Sequence, residues 1–111
     1  MAFEEMCMQP IRRAMDNLGF CESTIGTRYI REAIQIASGI LRPMMCKDIY
    51  PEIAKRYGTS PANIERSIRK AIEVAKRSPH WEIGWTQIGG WQHTTYEEII
   101  LRLLRVVQDA D

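Results

Sequence analysis

Between Ile49 and Arg77 the chain reads IYPEIAKRYGTSPANIERSIRKAIEVAKR, and the order of small, polar and apolar residues there leaves few folds open. Ala54 lies mid-way along a first helical stretch, Gly58 follows four residues later, and Ile64 comes ten residues after Ala54. A helix-turn-helix needs a small residue where the second helix crosses closely. It also needs a glycine for the left-handed turn and an apolar residue to lock the two helices together. The pattern predicts such a pair over about 46–77. Ser60 suits the cap of its second helix, 61–77, and Pro61 suits the first turn. At about 100° per residue, Ile64, Ile68, Ala71, Ile72 and Ala75 share one arc. Arg66, Arg69, Lys70, Glu73 and Arg77 fall on the opposite side, with Glu65 on the flank.

The remaining segments also carry helical periodicity. A first helix is expected from about Glu4 to Leu18, stopped by Gly19, with Pro10 starting or kinking it. Thr27 is read as the cap of a second helix reaching about Ser38, with Tyr29, Ile30, Ala33, Ile34 and Ala37 on one stripe. The third helix covers about Cys46–Tyr57, opened or bent by Pro51, and a short helix near His80–Ile88 ends at Gly89-Gly90. The last starts at Thr94 or Thr95, where Thr95 and Glu98 form a capping box. Its stripe is Tyr96, Ile99, Ile100, Leu103, Leu104 and Val107. No segment shows strand alternation. The expected fold is all-α, a bundle of about six helices with an embedded helix-turn-helix, in one domain over 1–111.

Several function classes lose support at this point. A chain of 111 residues builds one core, and 45% hydrophobic with 26% charged residues is the balance of a globular domain. No apolar run approaches the roughly 20 residues that span a bilayer. The N-terminus has acids where a signal peptide carries bases, so a cytoplasmic protein is expected. Cys7, Cys21 and Cys46 form no CxxC pair, and His80 and His93 lie far apart, so neither a metal site nor a cofactor is expected. No phosphate loop, nucleophile elbow or HExxH motif is present, and no enzyme is expected. Trp81, Trp85 and Trp91 are read as packing of the short helix, with an interface as the alternative.

Charge distribution says more than net charge. Lys47 to Arg77 holds eight bases against four acids, a net +4, which leaves −3 elsewhere in a chain of total +1. Positive charge therefore concentrates on the helical pair, as a DNA-facing surface requires. Arg66 and Arg69 are suited to guanine O6 and N7, and Glu65 to cytosine N4, in a major groove. Lys55, Arg56, Lys70, Arg77 and the helix start at Ser60 are the phosphate-contact candidates. The competing reading is a solvated face held by pairs such as Glu65–Arg69 and Lys70–Glu73. On the last helix, 95–108, Ile99, Ile100, Leu103 and Leu104 make an apolar face wider than one bundle needs. They are the expected dimer contacts.

The segments YIREAI (29–34), IYPEIAKRYGTSPANIERSIRKAIEVA (49–75) and TTYEEII (94–100) resemble the DNA-binding effector domain of the sporulation initiation response regulator of endospore-forming bacteria. The tyrosine-proline, the IA pair and the ER..R..IE series carry the likeness. The resemblance implies an all-helical domain that binds short boxes of double-stranded DNA as a homodimer or tandem pair. It places base reading on Glu65, Arg66 and Arg69. In that family the domain is joined to a receiver domain; none is expected within 1–111, so a regulatory partner or a receiver outside this chain is implied. The alternative function is a receiver-less interaction module that pairs with a full-length regulator through the 95–108 helix.

Overall fold

The computed structural model describes residues 3–90 and 95–109. Among them are six α-helices and no strand: α1 (Phe3–Leu18), α2 (Ile25–Ala37), α3 (Tyr50–Tyr57), α4 (Pro61–Lys76), α5 (Trp81–Gln87) and α6 (Tyr96–Asp109). α2 meets the most neighbours, α4 packs against α2 and α3, and α6 packs against α1 and α2. The all-α expectation holds. Trp91, His93 and Thr94, together with the side chain of Val107, lie outside the described residues.

α1 runs through Pro10 without stopping, and Ile11, Ala14, Met15 and Leu18 bury its inner face. Gly19 ends it: the N–H groups of Gly19 and Phe20 both return to the Met15 carbonyl at 3.1 Å. The start of α2 differs from the sequence expectation. Its cap is Thr24, in extended conformation, whose carbonyl accepts the Thr27 N–H at 3.1 Å. Thr27 is the third helical residue and only 1% exposed. Thr24 holds the cap position through its backbone, with no side-chain cap bond, and tertiary packing places Thr27 inside the helix.

That packing is set at Gly26. An ideal Cβ there would lie 2.1 Å from the Ser67 carbonyl oxygen and 2.8 Å from the Ala71 Cβ, both on α4. Only glycine lets the backbones of α2 and α4 approach this closely. Below the crossing, Ile30, Ala33, Ile34 and Ala37 meet the isoleucine row of α4.

The third helix also differs. Met45–Ile49 forms a π-helical turn, closed by the Tyr50 N–H on the Met45 carbonyl, before regular α3 begins. Pro51 has no N–H to continue an α-helical ladder back into this turn, and the wider turn absorbs the gap. Asp48 secures its start: its carboxylate accepts the Met44 N–H at 3.0 Å and its own N–H donates to the Met44 carbonyl at 2.8 Å.

Trp81 and Trp85 are buried, stacked at 5.6 Å between centroids, with Phe20 edge-on to Trp81 at 6.1 Å. They pack α5 rather than face solvent. The expected dimer contacts are corrected. Ile99, Ile100, Leu103 and Leu104 are 1%, 0%, 0% and 5% exposed, because the wide face of α6 has two neighbours to cover, α1 and α2. They are core residues of their own chain.

The α2–α4 crossing gives a test with a sign. On an exposed helix, Gly→Ala gains about 1 kcal/mol. At Gly26 the obstruction is a backbone oxygen that cannot swing aside, so Gly26→Ala should destabilise by about 2 kcal/mol or more. Urea unfolding reads this directly. An unchanged or raised midpoint would contradict the close crossing.

Candidate nucleic-acid interface

The hairpin of α3 and α4 is built from local chemistry. Gly58 takes φ 65° and ψ 38°, and the Thr59 N–H returns to the Ala54 carbonyl at 3.0 Å. Ala54 is 3% exposed and Ile64 fully buried. Ser60 is extended and its Oγ accepts the Asn63 N–H at 3.2 Å. Asn63 Nδ2 in turn donates to Thr59 Oγ1 at 2.8 Å, tying the turn to the first turn of α4. Tyr29 and Tyr57 pack edge to face at 4.9 Å, bracing α3 on α2.

With Ile64, Ile68, Ala71, Ile72 and Ala75 buried, the opposite face of α4 turns to solvent. Arg66, Arg69, Lys70 and Arg77 are all exposed there. Arg66 makes no hydrogen bond or ion pair among the described residues, and neither does Lys70. Arg69 is held: its Nη2 lies 2.8 Å from Glu65 Oε1, and its Cζ lies 5.3 Å from the centre of the Tyr96 ring. Lys76 Nζ approaches the same ring at 5.5 Å. Of the two pairs in the competing reading, Glu65–Arg69 is formed; Glu73 instead accepts the hydroxyl of Tyr96. Arg66 and Arg69 are separated by about 4.5 Å along the helix axis.

The phosphate candidates separate into unlike groups. Lys55 and Lys70 are exposed without an ion-pair partner among the described residues. Arg77 is exposed at the C-terminal end of α4. Arg56 is engaged, with Nη1 3.3 Å from Glu32 and Nε 3.5 Å from Glu52, and must leave two carboxylates to reach a phosphate. At the start of α4, Ser60 takes the Asn63 and Ile64 N–H groups and Pro61 has none, so Ala62 holds the unbonded N–H. A phosphate at that end meets one backbone donor and the Ser60 hydroxyl, fewer than a bare helix start offers.

A cleft of about 220 Å³ adjoins α4, lined in part by Cys46, Tyr50, Glu65, Arg69, Tyr96 and Glu97. Tyr50 is 5% exposed, and burial first, then the nearby Glu65 carboxylate, pushes its hydroxyl up to about 12. Tyr96 is also raised, first by its hydrogen bond to Glu73. Tyr96 has contacts that its place in the apolar stripe does not announce. It belongs to the apolar stripe of α6 by periodicity, yet it sits half-buried at the stripe's edge and faces α4. Among the described residues no group of His, Cys, Asp and Glu is arranged to hold a metal ion. No described helix is long and apolar enough to cross a membrane.

Residues 11–87 match the family described as sporulation initiation factor Spo0A C terminal. The chain belongs to that family. The family is the DNA-binding effector domain of a sporulation regulator and is not enzymatic, in agreement with the resemblance carried by the central segment. The match takes in the whole α3–α4 hairpin and ends with α5, so α6 and Tyr96 lie beyond it. No solved structure matches the chain.

The buried Tyr50 yields a pH dependence. The folded chain keeps the Tyr50 proton above pH 10, where the unfolded chain releases it. Stability from this group is complete below about pH 10 and falls as pH rises toward 12, by at most about 1.4 kcal/mol per pH unit. Urea unfolding between pH 9 and 12 should show this slope, shallower in Tyr50→Phe. Equal slopes in both proteins would contradict the assignment.

Proposed function

We propose that this chain is a sequence-specific DNA-binding regulator of transcription that reads the major groove with α4. Arg66 and Arg69 donate to guanines, Glu65 accepts from cytosine, and Lys55, Lys70 and Arg77 anchor phosphates. The observation that carries the reading is the division of α4: its isoleucine and alanine row is locked into the core while its arginine face is open to solvent. A reading helix must have both, since a loosely held helix cannot keep two guanidinium groups in register with base edges. Membership in a family of DNA-binding effector domains supports the same conclusion. The Glu65–Arg69 pair does not oppose it. An arginine has five donors, and one given to Glu65 leaves others for a base.

Pairing of two copies on adjacent DNA boxes belongs to this reading, with any contact formed outside Ile99, Ile100, Leu103 and Leu104, which are spent in the core. The same burial removes the apolar surface on which the interaction-module alternative rested. We further propose control by a receiver domain or regulatory partner and a place on the nucleoid, a reading that family membership supports.

Two substitutions separate base reading from phosphate anchoring. Arg66→Ala should weaken binding to a selected duplex by about 1–3 kcal/mol and relax preference at one guanine. Undiminished affinity for that duplex would remove Arg66 from the reading set. Lys55→Ala should weaken selected and random duplexes alike and make the salt dependence shallower by about one counterion. A loss confined to one sequence would contradict a phosphate role.

A further inference from the structure

One residue of α6 touches three residues of α4. The Tyr96 ring lies under the Arg69 guanidinium at 5.3 Å and the Lys76 ammonium at 5.5 Å, and its hydroxyl donates to the Glu73 carboxylate. Arg69, Glu73 and Lys76, spaced four and three residues apart, lie along one side of α4. On its other side Arg69 meets Glu65 at 2.8 Å. The guanidinium is thus confined by a carboxylate and an aromatic face, whereas Arg66 has neither. The ring is itself fixed at both ends. Thr95 caps the first turn of α6, with Oγ1 accepting the Glu98 N–H at 3.1 Å, and the buried Ile99 and Ile100 anchor that turn in the core. The raised Tyr96 hydroxyl is consistent with a proton held on the Glu73 carboxylate bond.

We infer that Tyr96 is a positioning residue for base reading, holding Arg69 in register from a helix outside the hairpin. This rests on the proposed reading role of Arg69. A free arginine loses several rotamers when it docks on a base, and that ordering opposes binding. Here part of the ordering is completed on folding. The ring attracts the cation through its π face without using its donors, so the N–H groups not given to Glu65 stay open to guanine. Sequence preference therefore depends on a residue of α6 that need not touch DNA.

The test compares the chain with Tyr96→Leu, which removes the ring, and Tyr96→Phe, which keeps it and loses the Glu73 bond. Each is measured on a selected and a random duplex, alone and combined with Arg69→Ala. Tyr96→Leu should lower the preference for the selected duplex about two- to fivefold, the size of one exposed cation–π contact. It should leave random-duplex affinity unchanged and add nothing once Arg69 is alanine, while Tyr96→Phe retains most of the preference. Without DNA, ring-current shifts on the Arg69 and Lys76 side-chain protons should be present in the parent chain and in Tyr96→Phe. An equal loss on both duplexes, or an equal loss in the Arg69→Ala background, overturns the positioning role. If Arg69→Ala relaxes the preference and Tyr96→Leu does not, only the Tyr96 assignment falls. If Arg69→Ala changes nothing, the reading role of Arg69 falls and takes the positioning role with it. Should Tyr96→Leu fail to fold, Glu73→Ala, which frees the ring from its anchor, should lower the preference in the same direction; no change there overturns the assignment.

Discussion

The contact between the backbones of α2 and α4 at Gly26 is the constraint on which the rest of the domain depends. The missing side chain lets the start of α2 rest against the Ser67 carbonyl and Ala71. With the helices this close, the alanines of α2 and the isoleucines of α4 interlock, and the rotation of α4 about its axis is fixed. Fixing that rotation decides which residues face water. Arg66, Lys70 and Arg77 are outward because Ile64, Ile68 and Ile72 have no other place to go. Function in this fold is thus a consequence of core geometry: a turn of about 100° in α4 would exchange the arginine face for its flank.

The charges on α4 differ in how readily they can be used. An exposed pair such as Glu65–Arg69 contributes about 0.3–0.5 kcal/mol, so opening or sharing it on a duplex costs little. Its value is geometric, because it limits where the guanidinium points. Arg56 is held by carboxylates of two helices, α2 and α3, and its charge is committed to joining them. Lys55, one residue earlier, is exposed and has no such partners among the described residues, which favours it over Arg56 for the phosphate role proposed above. Net charge on the segment counts both residues equally; the structure does not.

What could be read from the chain alone was the chemistry that acts over one or two turns. The Ser60 cap, the Pro61 start, the left-handed Gly58 and the isoleucine row of α4 were all legible because neighbours in sequence determine them. The cap of α2 was not, since Thr24 and Thr27 offer the same oxygen and the approach to α4 decides between them. The π turn before α3 escaped for a similar reason: Pro51 announces a break in the ladder but not how the backbone closes it. The width of the apolar face on α6 was visible, yet width does not tell how many neighbours cover it, and two do. Tyr96 was hidden by its own periodicity. A tyrosine at the edge of a stripe satisfies the helical pattern whether its hydroxyl points to solvent or across to Glu73.

The central claim, that α4 presents its arginine face to the major groove, is tested most directly by methylation interference on a duplex selected from a random library. Methylation at guanine N7 places a group on the major-groove edge that Arg66 and Arg69 are assigned to read, and adenine N3 lies in the minor groove. Methylation at one or two guanines within the selected site should abolish binding, while adenine N3 methylation at neighbouring pairs leaves it intact. Interference confined to adenine N3, with every guanine N7 tolerated, would place the protein in the minor groove and contradict the role of α4.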